Sequence, residues 1–101
     1  MSTTYYIKDE TLDVTYNYAW IFYRLHKKGL QSIHGLTGKK ALILLMEFEK
    51  ELTVGAFGSA IKDTKLEQSY FICSPNNAYH NAVKPLIKLA EKYPRHKFLC
   101  H

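Results

Sequence analysis

Residues 37–52 read TGKKALILLMEFEKEL, and they decide the fold because they carry the clearest helical period in the chain. Apolar side chains recur at the spacing of one helix face, at Ala41, Leu42, Leu45, Phe48 and Leu52. Leu44 and Met46 widen that face, and charged residues mark the side toward water, at Glu47, Lys50 and Glu51. The Thr37 hydroxyl is suited to cap the first turn. The pattern predicts a helix that opens at Thr37 and runs through Lys39 to Leu52.

A further helix is predicted over residues 78–93, after the punctuating segment Pro75-Asn76-Asn77, which supplies a cap. Its inward-facing residues follow helical spacing, at Tyr79, Ala82, Val83, Leu86, Leu89, Ala90 and Tyr93. Pro85 removes one backbone hydrogen bond and crowds the carbonyl of Asn81. This helix is therefore expected to kink near its first turns or to begin anew at Pro85.

Both ends of the sequence are predicted to form strands. Residues 5–14 hold β-branched and aromatic residues broken by charges at 8–10, which indicates a short edge strand or two strand fragments. Pro94 ends the last helix, and residues 95–101 predict a strand with Phe98 and Cys100 on one face. With a first helix running to about Lys28 and stopped by Gly29, the sequence predicts an α+β fold of three helices on a small sheet formed by the N- and C-terminal strands.

The segment between the second and third helices is harder to interpret. Gly55, Gly58 and Ser59 interrupt residues 53–63, which predicts a loop, with room for a short turn of helix. Residues 65–74 fit either a short strand or a helical turn, and periodicity does not decide between the two.

Length and composition limit the classes of protein to consider. The chain has 101 residues, enough for a single domain, and its 47% hydrophobic and 23% charged residues are typical of a globular protein. No signal peptide is visible and the longest apolar run, residues 41–46, is too short to cross a membrane, so we expect a cytosolic protein with free thiols at Cys73 and Cys100. A net charge of +5 favours an anionic partner such as nucleic acid, a nucleotide or an acidic protein face.

The first helix carries more aromatic surface than one short helix can bury. At 3.6 residues per turn, one face holds Tyr18, Ile21, Phe22 and Leu25, and another holds Tyr16, Trp20, Tyr23 and Lys27. The first face is predicted to be core. The second face combines rings with Arg24 and Lys27, a mixture used by sites for single-stranded nucleic acid and nucleotides. The alternative is that these rings pack on other helices or on a second subunit, and a ligand between subunits would satisfy both interpretations.

Several chemical sites are disfavoured by the sequence. Residues 35–40, GLTGKK, resemble part of a phosphate-binding loop, but Ile33 and Lys40 stand where that motif needs glycine and Ser or Thr. A capped helix is the simpler interpretation, although Lys39 and Lys40 could still hold a phosphate at the helix N-terminus. His96, Cys100 and His101 do not give the ligand set of a metal site. No nucleophile, base or carboxylate pair has catalytic spacing, so we expect no enzyme, no cofactor and no metal.

Four short motifs together resemble a family of small bacteriophage and prophage proteins. The matching segments are DVTYNY at 13–18, GLTGKKA at 35–41, SPNN at 74–77 and Tyr93-Pro94. Members often continue the Pro-Asn-Asn segment with glycine and tryptophan, whereas this chain has Ala78-Tyr79-His80. The resemblance implies a phage accessory protein in the host cytoplasm that counters host immunity. It would do so by sequestering a nucleotide immune signal or by docking on a defence protein as an anti-CRISPR inhibitor does.

These observations lead to a hypothesis of binding without catalysis. The expected ligand is a small anionic nucleotide, such as a cyclic nucleotide, and the alternative partner is a host defence protein. Tyr16 and Trp20 would stack on the base with Tyr23 beside them, and Arg24, Lys39 and Lys40 would contact phosphate. Asn17, Asn76 or Asn77 would recognise polar edges. We also expect a homo-oligomer and no membrane partner.

Overall fold

The computed structural model describes residues 2–53 and 75–101, and for Asn17, Pro75 and Asn76 it describes the backbone alone. Its sheet has three antiparallel strands, β1 (Ser2–Ile7), β2 (Glu10–Thr15) and β3 (Phe98–Cys100), in the order β2-β1-β3. The protein is α+β, and the predicted pairing of the N- and C-terminal strands is confirmed. Of the two alternatives for residues 5–14, two strands are observed, and β1 lies in the centre of the sheet rather than at its edge.

The register of the sheet places one face against the helices. Tyr5 pairs with Leu12 on one side and with Cys100 on the other, and Ile7 pairs with Phe98. Alternate residues share a face of a strand, and Thr3, Tyr5 and Ile7 are accordingly buried while Tyr6 is exposed. Lys8 and Asp9 make the turn from β1 to β2, with Lys8 at a φ of 54°.

The first helix is shorter than predicted. A 3-10 turn (Tyr16–Tyr18) precedes α1 (Ala19–Leu25), and the backbone is already extended at His26. The predicted end near Lys28 was therefore wrong, and the N-cap residue of α1, Tyr18, makes no side-chain capping hydrogen bond. The His26 ring explains the early turn, because its Nδ1 accepts the backbone N–H of Lys28 at 3.0 Å. A second 3-10 segment (Gly29–Ile33) follows, and it buries Leu30 and Ile33.

The second helix, α2 (Gly38–Thr53), agrees with the prediction within a residue. Thr37 Oγ1 accepts the backbone N–H of Lys40 at 3.4 Å, in the predicted capping position. Four of the five predicted core residues are buried, Leu42 is half-buried, and the expected inward position of Met46 was wrong because its side chain is 53% exposed.

The last helix contains three parts, α3 (Pro75–Ala78), a π-helical segment (Tyr79–Val83) and α4 (Lys84–Lys92). The backbone N–H of Lys84 donates to the carbonyl of Tyr79, five residues earlier, so the turn before Pro85 is one residue wider than an α-helical turn. Pro85 then lies in the first turn of α4, where its missing N–H has no cost. An α-helical segment thus begins next to Pro85, as one of the two expected alternatives has it, but the helical backbone is unbroken at Val83 and Lys84.

The helices and the inner face of the sheet enclose one hydrophobic cluster. Phe22 of α1 meets Phe48 of α2 edge to face, with ring centroids 5.4 Å apart. The N-terminus of α2 approaches the C-terminus of α4 closely, and a Cβ on Gly38 would lie 2.7 Å from the Ala90 carbonyl oxygen and closer still to that of Tyr93. Gly38 is therefore a packing position.

The predictions for residues 54–63 and 65–74 lie outside the described residues. Within the described ones, none of the helices combines the length and apolar character needed to cross a bilayer.

Candidate functional site

The two predicted faces of the first helical region are both observed. Tyr18, Ile21 and Phe22 are buried in the core, as expected. Tyr16, Trp20 and Tyr23 leave 47%, 49% and 54% of their surface exposed. Exposed apolar side chains that lie close together are typical of interaction sites. The aromatic surface therefore lies where a ligand or partner can reach it.

Tyr16 and Tyr23 line a cavity of about 360 Å³ between α1 and the inner face of the sheet. We call it the tyrosine cavity. Its ten wall residues are mostly apolar or aromatic: Thr3, Tyr5, Val14, Thr15, Tyr16, Ala19, Phe22, Tyr23, Leu30 and Gln31. Its volume lies in the range of small-molecule sites, about 300–1,000 Å³. Trp20 does not line this cavity, so the structure separates it from the two tyrosines.

Tyr5 is the wall residue that sequence reasoning missed. It is 2% exposed, and burial, followed by the nearby Cys100, Tyr23 and Tyr16, strongly raises the pKa of its hydroxyl. The Tyr5 hydroxyl is therefore neutral at physiological pH and can act as a hydrogen-bond donor. The available signal was the alternation in β1, which places Tyr5 on the same face as Ile7.

Gly29 fixes the position of Tyr23. At a φ of 62°, Gly29 turns the chain back, and a Cβ at this position would lie only 3.3 Å from the Tyr23 ring. The Tyr23 ring therefore packs over Gly29, and it lies between the tyrosine cavity and a second cavity. This second cavity, of about 450 Å³, is the Lys28 cavity, lined by Tyr23, Lys28, Gln31, Ser32, His34 and Cys100.

His34 and Cys100 form a contact within the Lys28 cavity. His34 Nδ1 accepts the backbone N–H of Cys100 at 3.0 Å and lies 3.6 Å from its sulfur. Burial raises the pKa of the Cys100 thiol, so the sulfur stays protonated at neutral pH. No local pattern indicates this pair, because the two residues lie far apart in the chain and meet only when β3 joins the sheet.

Arg24 lies apart from the tyrosine cavity. It lines a third cavity of about 610 Å³, whose other walls are Leu25, His26, Leu44, Glu47, Phe48, Lys50 and Glu51. This cavity contains two carboxylates as well as two cations, so it offers an anion no net charge. The predicted grouping of Arg24 with the aromatic rings is not observed.

Lys39 and Lys40 have exposed side chains on α2, away from both cavities that contain Tyr23. The backbone donors beside them are used within the protein. The N–H of Gly38 donates to the His96 carbonyl at 2.8 Å, and that of Lys39 to the Pro94 carbonyl at 3.0 Å. An anion at this helix N-terminus would meet lysine side chains without the usual backbone donors.

Of the predicted asparagines, Asn77 is the one whose side chain the structure describes, and it does not line the tyrosine cavity. Asn77 is 8% exposed near the start of the last helix and has a partner of its own. Asn17 lies in the 3-10 turn before α1 and Asn76 lies in α3.

No group of three or more metal-ligating side chains lies together within residues 2–53 and 75–101. The predicted absence of a metal centre is not tested further by this finding. The structure thus brings together Tyr16 and Tyr23 of the predicted site and adds Tyr5, Gln31, Lys28 and His34.

Comparison with models of known protein families, with curated proteins and with solved structures finds no match. The fold defines an α+β protein. Its function has to be inferred from the cavities themselves.

Proposed function

We propose that this protein binds a small anionic nucleotide without transforming it. The observation that carries the proposal is the tyrosine cavity, a concave site of about 360 Å³ with Tyr5, Tyr16 and Tyr23 in its walls. Aromatic side chains stack on nucleobases whatever the base, because every base has a π-face, and each stacked pair stabilises the complex by about 1–3 kcal/mol.

The polar groups of the cavity suit a nucleobase. The Tyr5 hydroxyl, whose pKa burial raises further above neutrality, is a hydrogen-bond donor, and Gln31 carries both an amide donor and a carbonyl acceptor. A flat heteroaromatic ring would cover the apolar walls and meet these polar groups at its edge. The net charge of +5 adds a general attraction for the phosphate.

The biological part of the proposal is the sequestration of a nucleotide immune signal in the host cytoplasm, for instance a cyclic nucleotide. It rests on the resemblance to phage proteins and on the expectation of no catalytic group. A protein that binds such a signal tightly and releases it unchanged would lower its free concentration.

Thermal shift with a panel of signalling nucleotides tests this proposal. A ligand that binds only the folded protein stabilises it by about 2.7 kcal/mol at a hundredfold excess over Kd. We expect a rise in Tm with at least one nucleotide, and recovery of that nucleotide intact after the complex is denatured. An altered nucleotide would indicate an enzyme.

A matched pair of tyrosine variants locates the site. Tyr23→Leu removes a wall of the tyrosine cavity, whereas Tyr6→Leu removes an exposed tyrosine from the opposite face of the sheet. Binding should be lost in Tyr23→Leu and kept in Tyr6→Leu. No shift with any nucleotide in the wild type would refute the proposal.

A second candidate function is inhibition of a host defence protein through the aromatic surface. The supporting observation is the half-exposure of Tyr16, Trp20 and Tyr23, since tyrosine and tryptophan are enriched among the residues that dominate protein interfaces. The same surface would also serve self-association into a homo-oligomer. In this case nucleotides give no thermal shift, and a complex with a defence effector such as a CRISPR nuclease is detected by size-exclusion chromatography.

A further inference from the structure

We infer that the Lys28 cavity is the phosphate subsite of the nucleotide site, and that the ligand is a phosphorylated nucleoside unit rather than a free base or nucleoside. This inference rests on the proposed function, since it assigns the base to the tyrosine cavity. The sequence indicated Arg24, Lys39 and Lys40 as phosphate contacts, and none of the three lines the Lys28 cavity.

The two cavities are neighbours. Tyr23 and Gln31 line both of them, so a single layer of side chains separates the tyrosine cavity from the Lys28 cavity. A ligand whose aromatic end enters the first cavity can pass over Tyr23 and Gln31 and place its other end in the second. The Tyr23 ring of this partition packs on Gly29.

The walls of the two cavities differ in charge. No charged side chain lines the tyrosine cavity among the described residues. The Lys28 cavity has Lys28 among its wall residues and no carboxylate from the described part of the chain. The charge distribution therefore matches a molecule with one neutral aromatic end and one anionic end.

His34 adds a directed donor. Its Nδ1 accepts the backbone N–H of Cys100, which assigns the proton of the neutral ring to Nε2. The Nε2–H group is then available to a phosphate oxygen. Burial raises the pKa of the Cys100 thiol in this cavity, so the thiol is protonated at neutral pH and does not repel an anion.

Ser32 provides an independent observation. Its hydroxyl oxygen is buried and has no hydrogen-bond partner in the described part of the chain. Buried hydroxyl groups are nearly always paired, because burying an unpaired one is unfavourable. Ser32 lines the Lys28 cavity, but its hydroxyl oxygen is closed to solvent, so a rotation of the side chain is needed to bring it to a bound phosphate oxygen. The hydroxyl has no protein partner to lose when it turns toward such a ligand.

Calorimetric titration of the full chain with the four nucleoside 5′-monophosphates and with the matching nucleosides tests the inference. For whichever base binds, the monophosphate should bind at least about tenfold more tightly than the nucleoside. This ratio of affinities corresponds to the free energy of one charge-assisted hydrogen bond. This ratio should fall as sodium chloride is raised, because part of the attraction is screened.

Lys28→Ala should bring the ratio of monophosphate to nucleoside affinity close to one while leaving the nucleoside affinity unchanged. Lys27→Ala is the matched control, since Lys27 is an exposed neighbour that lines neither cavity. Circular dichroism and a thermal melt confirm that both variants fold, and Ser32→Ala gives a second, uncharged variant that should lower monophosphate affinity alone.

The outcomes separate this inference from the proposed function. Equal affinity for monophosphate and nucleoside, or equal losses in Lys27→Ala and Lys28→Ala, would overturn the phosphate subsite and leave the tyrosine cavity as the base site. Binding of neither monophosphates nor nucleosides, with no thermal shift from the signalling nucleotides, would overturn both.

Discussion

Replacing Gly38 by alanine should destabilise the protein more than any other glycine substitution in its described part. The added Cβ would lie 2.7 Å from the Ala90 carbonyl oxygen, closer to that of Tyr93, and 3.0 Å from the Cα of Pro94. All three atoms belong to backbone, so no side-chain rotation relieves the contact. The N-terminus of α2 and the C-terminus of α4 would have to separate.

The size of the effect follows from what that separation disrupts. Overpacking costs about 1–3 kcal/mol. The hydrogen bonds from Gly38 to His96 and from Lys39 to Pro94 would be weakened, at about 1 kcal/mol each. Alanine regains about 1 kcal/mol in helix propensity. The expected loss in the free energy of unfolding is about 2–4 kcal/mol, which corresponds to a fall in Tm of about 10–25 °C for a domain of this size.

Urea denaturation followed by circular dichroism at 222 nm measures this loss. Gly35→Ala is the matched control, because Gly35 has a φ of 81° but no heavy atom within 4 Å of the new Cβ. It isolates backbone strain, at about 1–2 kcal/mol. If Gly38→Ala unfolds within 0.5 kcal/mol of the wild type (about the spread of neutral surface substitutions), the packing role of Gly38 is refuted. A loss of nucleotide affinity at unchanged stability would favour the phosphate-loop interpretation.

Two further predictions concern the two faces of α1 and the contact between β2 and α4. Phe22→Ala should lower the free energy of unfolding by about 3–5 kcal/mol because Phe22 is 2% exposed. Trp20→Ala should change it far less, and thermal melts of the two variants compare them. Equal losses would mean that Trp20 belongs to the core. The hydrogen bonds that Glu10 accepts from Tyr93 and Lys92 hold the pKa of its carboxyl below its ordinary range. The stabilisation from this contact is therefore present at neutral pH and is lost as pH falls through the lowered pKa of the folded state. NMR titration of the Glu10 carboxyl should show the midpoint moving up in Tyr93→Phe, and an unchanged midpoint would contradict the assigned hydrogen bond.

The elements that the sequence predicted well are those with a strong local signal. Thr37 and the apolar period after it define α2 without help from the rest of the fold. Pro85 is equally informative, because a proline cannot donate the backbone hydrogen bond of a helix interior and must lie near a helix start. β3 was predicted from the placement of Phe98 and Cys100 on one face of a strand, and both residues lie in the observed strand of three residues.

The errors arise where a side chain acts on the backbone or where distant segments meet. The His26 ring ends α1 early by accepting the N–H of Lys28, an effect that periodicity does not detect. The 3-10 segment over residues 29–33 buries Gly29, Leu30 and Ile33, and the two apolar side chains among them lie three positions apart, which was a usable signal for its three-residue period.

The candidate site was predicted only in part for the same reason. Tyr16 and Tyr23 could be assigned to an exposed face because the local helical period from the 3-10 turn through α1 determines that face. The grouping of Arg24, Lys39 and Lys40 with them depended on how helices pack, and the structure places these cations elsewhere. Lys28, Gln31 and His34 became neighbours of Tyr23 only through the turn at Gly29 and the pairing of β3 with β1.

The central position of β1 also determines the order in which the protein can fold. The hairpin of β1 and β2 closes through a two-residue turn and can form within microseconds. The pairing of Ile7 with Phe98 closes nearly the whole chain into a loop. Because closing a long loop has an entropic cost, this pairing forms late, after the helices have brought the ends together. The Lys28 cavity takes one wall from Cys100 of β3, whereas every wall of the tyrosine cavity comes from residues 3–31. The late pairing of β3 would therefore complete the Lys28 cavity last, by adding Cys100 to walls that residues 23–34 already supply.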